Sequence, residues 1–249
     1  MRIALDATGN RIEATPKARA ACPGCRGVVI AKCGILKVEH WAHTAGVDCD
    51  PWSEPETPWH AGWKSCFPVD QQEVVRGEHR ADVVTNSGWV IELQHSSIDP
   101  LSIGAREITY DRMVWVIDAA PFVQNLEFSA LPTLPEGESR FHFAWKWPRR
   151  SWSWATRPVY FDMRDGWLFR VHDLDCGGQR GGIGSFVEAS GLISRAGGDG
   201  ARSRCEVKLD RRCSRCQRNA ANGEFRWSEE HGCCVRKCGF CGFMEILSR

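Results

Sequence analysis

The amino-acid sequence predicts an α/β protein, with one core of mixed helices and strands between two small cysteine-rich modules. Three observations carry that expectation. Trp59, Trp63 and Phe67 recur at a spacing of four, the period of a helix with one buried stripe. Runs at 79–85, 89–94 and 113–117, each carrying β-branched residues, have the length and composition of strands. Thirteen cysteines, several in C-x-x-C pairs, crowd towards the two ends of the chain.

With 249 residues, 43% hydrophobic and 25% charged, the chain has enough apolar material for a true core. A net charge of +1 neither announces nor excludes a nucleic-acid ligand, because a locally basic channel would not show in the total. The longest apolar stretch, 113–120, is broken by Asp118 and too short to span a bilayer. The opening MRIALDATGN lacks the basic-then-apolar layout of a secretion signal. The expectation is a cytoplasmic chain without membrane contact. In a reducing compartment, an odd number of cysteines with C-x-x-C spacing favours metal over disulfide, whereas Cys66 and Cys176 fit as isolated thiols.

Residues 1–20 read as a short strand and a Gly9-Asn10 turn, with no catalytic signal. Next comes the knuckle Cys22-Pro-Gly-Cys25, an apolar run at 28–31, a turn at Cys33-Gly34, and a second strand leading into HWAH at 40–43. Two short strands between ligand pairs is the layout of a small structural zinc site. Residues 1–52 are therefore expected to form a zinc-finger-like module with ligands Cys22, Cys25, His43 and Cys49. His40 is the alternate for His43 or Cys49, and Cys33 is a spectator.

The core is expected over 53–135. A helix at 53–67 is capped by Ser53 or Thr57, with Pro58 in its first turn. Glu56, His60 and Lys64 form a polar line beside its buried stripe; taken alone, that line is a solvated face with i,i+4 pairs. Strands follow at 71–76, 79–85 and 89–94, the last two joined by a turn at 86–88. On the third strand Glu92 and Gln94 share one face, with Ile91 and Leu93 on the other. Asp82 sits among Ala81, Val83 and Val84 on the second, and the hairpin brings it beside Glu92. A helix from Asp99-Pro100 to about Tyr110 and a Val-rich strand at 113–117 complete the order helix, three-strand meander, helix, strand.

Residues 136–200 read as an aromatic-rich, mainly β extension with an Asp165-Gly166 hairpin turn. The glycines at 177, 178, 181, 182 and 184 read as a flexible loop. The tryptophans read mostly as core, and those at 145–154 are dense enough for a base-stacking surface. Residues 201–249 begin with a basic run that is either solvated or contacts phosphate, then show zinc-ribbon spacing. The ligands there are Cys213, Cys216, Cys238 and Cys241, with Cys205, Cys233 and Cys234 as alternates.

An Asp and a Glu on neighbouring strands suit one chemistry well. Magnesium takes one or two protein carboxylates and keeps its other positions for water and phosphate oxygen. Held so, it activates water and offsets charge at a phosphodiester. A third polar group two residues after the Glu lies on the same face and can orient the water.

Asp82 followed by Glu92-Leu93-Gln94 resembles the signature of the PD-(D/E)XK, or restriction-endonuclease-like, nucleases, except that Gln94 stands where Lys is usual. A neutral amide neither stabilises charge as an ammonium does nor serves as a base. CPGC at 22–25, HWAH at 40–43, Glu56-x3-His60-x3-Lys64, HRADV at 79–83, VIELQHSSI at 90–98, Arg106, Tyr110 and VWVID at 114–118 together resemble competence protein CoiA-like nucleases over roughly the first half of the chain. The resemblance implies a restriction-endonuclease-like core in which Asp82 and Glu92 hold Mg²⁺ or Mn²⁺. Gln94 completes the triad and Glu56 reaches the same site. His60, Lys64, Arg80, Arg106 and Tyr110 support it or face phosphate. The function implied is cleavage of DNA in processing or recombination, with nucleic acid and recombination proteins as partners. The alternatives are a catalytically silent nucleic-acid binder of the same fold and a zinc-stabilised protein-interaction adaptor.

Overall fold

The computed structural model describes residues 1–34, 37–44, 49–132, 139–175 and 180–200, together with the backbone of three strands nearer the C-terminus. The N-terminal module is an antiparallel sheet of β1 (Ile3–Leu5), β2 (Arg11–Glu13), β3 (Arg19–Ala21), β4 (Val28–Gly34) and β5 (Lys37–His43), in the order β2-β1-β3-β4-β5. Ala4, Ala14, Cys22, Val29 and Trp41 form its small core.

The order that follows is α1 (Pro58–Ser65), β6 (Gln72–Arg76), β7 (His79–Val84), β8 (Val90–Gln94), α2 (Pro100–Tyr110) and β9 (Met113–Asp118). α1 starts at Pro58 rather than at residue 53. Pro55 and Pro58 each push the residue before them out of helical space, and Thr57 accepts from the His60 amide as the cap. Glu56 therefore precedes the helix instead of lying on it. Asp99 caps α2 by accepting from the Ser102 amide at 3.0 Å. β6, β7 and β8 run antiparallel, and β8 lies parallel to β9.

The sheet continues through β10 (Leu126–Ala130), β11 (Phe141–Trp145), β12 (Val159–Asp162), β13 (Trp167–Asp175) and β14 (Gly181–Glu188), and α3 (Ala189–Arg195) follows. Its nine strands run β10-β11-β14-β13-β12-β9-β8-β7-β6, with β9 and β12 parallel at its centre. The boundary drawn at 135/136 thus falls within one sheet. On one face Ile91, Leu93, Val116 and Leu168 pack with Trp59, Trp63 and Phe67 and with Ile193 of α3. On the other, Val90, Trp115, Ile117, Phe143 and Phe161 pack with Ile103 and Tyr110 of α2. The two clusters follow the strand alternation.

The loop expected at Gly181, Gly182 and Gly184 is instead β14, paired on both sides. A Cβ would collide with the carbonyl of Phe143 at Gly181, of Asp173 at Gly182 and of Arg170 at Gly184. The glycines permit close strand approach, so their function is opposite to that of a flexible linker. Gly177, Gly178 and Cys176 lie outside the described residues.

Near the C-terminus β15 (Glu224–Ser228), β16 (Cys233–Lys237) and β17 (Met244–Ile246) form a three-stranded antiparallel sheet. Cys205, Cys213, Cys216, Cys238 and Cys241 lie outside the described residues, and Cys233 and Cys234 are placed by backbone only. Among the described residues, no helix is long and apolar enough to cross a membrane.

Candidate functional site

The hairpin of β7 and β8 continues into the register that sets Asp82 against Glu92. The Asp82 carboxylate accepts from the Leu93 amide at 2.9 Å, and the Asp82 amide lies 3.5 Å from Glu92 Oε2. Both residues line a small cavity of ≈ 30 Å³ with Glu54, Glu56, His60, Lys64, Glu73, Arg80 and Arg106. That is room for a few waters, or for one ion that takes most of its ligands from the protein.

Cations sit against nearly every carboxylate. Lys64 Nζ lies 2.8 Å from both Glu56 Oε2 and Glu73 Oε1, and 3.5 Å from Asp82 Oδ1. Arg106 Nη1 donates to Glu92 Oε1 at 2.8 Å, and Nη2 donates to the Trp52 carbonyl. The Arg106 guanidinium also stands over the Trp52 ring, 5.4 Å from its centroid. Burial opposes charge on Lys64, but Glu56, Glu73 and Asp82 hold its ammonium well above the usual lysine range. Burial, then the nearby Asp82 charge, pushes the Glu92 carboxyl up to about 8 against the pull of Arg106.

Gln94 is held at both ends. Its Nε2 donates to Glu54 Oε1 at 2.6 Å, and its Oε1 faces Arg106 Nη1 at 3.4 Å. Glu54 also accepts from the amides of His95 and Ser96. His60 Nε2 stands 3.4 Å from Glu54 Oε2, at ion-pair distance but too poorly aligned for a hydrogen bond. Burial would raise the Glu54 carboxyl; His60 and these backbone donors outweigh it and hold the group at about 2.

The structure thus gathers Glu56, His60, Lys64, Arg80, Asp82, Glu92 and Arg106 at one cavity. Gln94 adjoins it through Glu54 and Arg106. Tyr110 is not among the lining residues; it is buried, its hydroxyl has no hydrogen-bond partner among the described residues, and its ring meets the Trp52 edge. Arg80 donates from Nη2 to Ser53 Oγ at 2.9 Å.

Three participants carried no signal in the sequence. Glu54 precedes the helix as an ordinary acidic residue. Glu73 looks like a strand residue, yet it holds a left-handed φ of 48° and accepts from the amides of Arg2 and Ile3 as well as from Lys64. Just beyond Gln94, His95 Nδ1 lies 2.6 Å from the carboxylate of the fully buried Asp118, which is the acceptor.

The second constellation lies in the N-terminal module. The side-chain donors of Cys22, Cys25, His43 and Cys49 all fall within 4.8 Å of one another. Cys22 Sγ and Cys49 Sγ are 3.7 Å apart, and Cys25 Sγ is 3.3 Å from His43 Nε2. Zn–S bonds of ~2.3 Å in a tetrahedron set sulfurs ~3.7 Å apart, so these residues have the edges of a zinc site. His43, not His40, completes the cluster. Among the described residues, this is the one group of three or more such donors that converges on a point.

Fold and site define a mixed α/β protein whose N-terminal Cys₃His module has the donors and spacing for zinc. Residues 7–51 match the family model described as competence protein CoiA, N-terminal domain. The match takes in β2 to β5 and all four cluster residues, and over that segment the chain is similar to this family's N-terminal domain. No curated protein and no solved structure matches the chain.

Proposed function

We propose that the chain is a metal-dependent nuclease acting on DNA phosphodiester bonds, CoiA-like, with a restriction-endonuclease-like core and a role in DNA processing or recombination. The observation that carries this reading is the meeting of Asp82 and Glu92, from adjacent strands, at one cavity that cations also line. The element order α1, β6–β8, α2, β9 supports it.

The residues fit a divalent ion. Glu56 Oε1 is buried without a hydrogen-bond partner among the described residues, and such an acceptor suits a cation. Asp82 and Glu92 would hold Mg²⁺ or Mn²⁺, which supplies an activated water and a counter-charge to phosphate. Lys64 already stands at 3.5 Å from Asp82, so an ammonium is present although position 94 lacks one. Arg80 and Arg106 add positive charge at the cavity wall. The Glu54–Gln94–Arg106 chain fixes the end of β8, which keeps Glu92 in place.

The test compares wild type, Asp82→Ala and Glu92→Ala on single- and double-stranded DNA with Mg²⁺ or Mn²⁺. Cleavage is expected to fall by roughly 100-fold or more in both variants, the loss expected when a metal-held nucleophile is removed. Equal cleavage by all three proteins overturns the assignment. One observation favours a second reading, a silent nucleic-acid binder of the same fold: both ends of the Gln94 amide are occupied, so it is not free to orient a water. Salt-sensitive binding without cleavage is the outcome that selects it.

A further inference from the structure

Neither the core nor the acidic site accounts for Trp147 and Trp154. They are 65% and 67% exposed, while Trp145 and Trp152 of the same segment are buried. A lone exposed aromatic is ordinary. Here Trp147 precedes and Trp154 ends one short 3₁₀ helix, Arg150–Trp154, in a stretch that also carries Lys146, Arg149 and Arg150, with no acidic residue from 146 to 158.

The segment is anchored from below. Trp152 meets Trp115 edge to face at 5.2 Å, and Arg149 covers the Phe122 ring at 4.9 Å. Arg149 Nη1 also donates to the His95 carbonyl at 3.2 Å, which ties the segment to the residue after Gln94. Lys146 Nζ lies over one face of the Trp147 ring, 4.6 Å from its centroid, so a positive charge accompanies this exposed indole. Two exposed indoles in a cationic segment, tied through Arg149 to the residue after Gln94, complement a polyanion whose flat bases are open to stacking.

We propose that the exposed residues of this segment bind single-stranded nucleic acid, with bases stacked on Trp147 and Trp154 and phosphates paired with Lys146 and Arg150. Duplex bases are already stacked on one another, so only an unpaired strand offers its faces. The inference deepens the nuclease reading and rests on it for the claim that this strand is the substrate; the binding itself does not depend on cleavage.

Fluorescence anisotropy with wild type and no added Mg²⁺, Mn²⁺ or chelator separates the two. The probes are labelled oligo-dT of about twenty nucleotides and a duplex of equal length. The Trp147→Ala, Trp154→Ala double variant is expected to bind oligo-dT about tenfold or more weakly, with duplex binding unchanged. The Trp147→Phe, Trp154→Phe double variant should recover most of the loss, because it restores a ring face. Lys146→Ala and Arg150→Ala should each flatten the salt dependence by about 0.7 in log–log slope. Circular dichroism checks the fold, which these exposed side chains should leave intact. Unchanged oligo-dT binding in the tryptophan variant, equal loss on duplex, or no oligo-dT binding by wild type overturns the proposal. Failure of the Asp82 and Glu92 cleavage test leaves this measurement as it stands.

Discussion

Lys64 is the residue on which the acidic cavity most depends. It is 2% exposed and is shared among Glu56, Glu73 and Asp82. Lys64→Met keeps the length of the side chain but leaves buried carboxylates without their cation. A cost of about 3–5 kcal/mol is expected, read as a lowered urea midpoint. Glu54 gives a pH dependence of known sign. Its folded value of about 2 lies below the ordinary 4.5, so the stability it contributes is complete above about 4.5 and disappears as pH falls through about 2. In acid titrations between those values, wild type should lose about 1–2 kcal/mol more stability than Glu54→Gln, a figure reduced for partial exposure. At this scale the sequence was legible in the hairpin that sets Asp82 against Glu92, whereas the helical spacing of Glu56, His60 and Lys64 pointed to a solvated face and Lys64 and His60 are instead buried. It was silent on Glu54 and Glu73 because their partners are backbone amides of His95, Ser96, Arg2 and Ile3, which no local pattern reveals.

At the scale of elements, periodic segments were readable and close contacts were not. Thr57, Pro58 and the Trp59–Trp63 stripe mark α1, and Asp99-Pro100 marks α2. The turns at Gly88 and Gly166 both adopt positive φ, as hairpin turns require. β14 was hidden because a glycine-rich run has no side-chain alternation to read; what defines it is the approach of β11 and β13 on either side. The expected consequence is sharp. Gly184→Ala would drive a methyl into the Arg170 carbonyl and the Phe169 ring. Because Phe169 belongs to the buried aromatic core and the carbonyl belongs to the ladder, neither can yield cheaply. A loss of about 3 kcal/mol is expected, at the upper end for overpacking, seen as a lower melting temperature. A flexible loop at this position would tolerate the same change with no measurable shift.

Across the whole molecule, residues 49–57 link the cysteine cluster to the acidic cavity. Cys49 belongs to the cluster. The next residue, Asp50, accepts from the Arg80 amide at 2.9 Å and faces His79 Nδ1 at 3.0 Å, which pins the start of β7 two residues before Asp82. Trp52 stacks on His79 and offers its carbonyl to Arg106, the partner of Glu92. Glu54 and Glu56 then enter the site itself. Zinc bound at the cluster would hold this strap at one end, and structural zinc contributes to folding directly. Cys25→Ser should therefore lower the zinc content by about one per chain and weaken cleavage about tenfold or more, although Cys25 itself is absent from the cavity lining. Zinc is read by elemental analysis and cleavage by the DNA assay on the same preparation. Lost zinc with unchanged cleavage would mean that β7 is fixed by its own sheet and that the strap is passive. Lost zinc with lost cleavage, while the melting transition of the large sheet persists, would place the coupling in Asp50 and Trp52; Asp50→Ala, with its zinc retained, should then reproduce the cleavage defect alone.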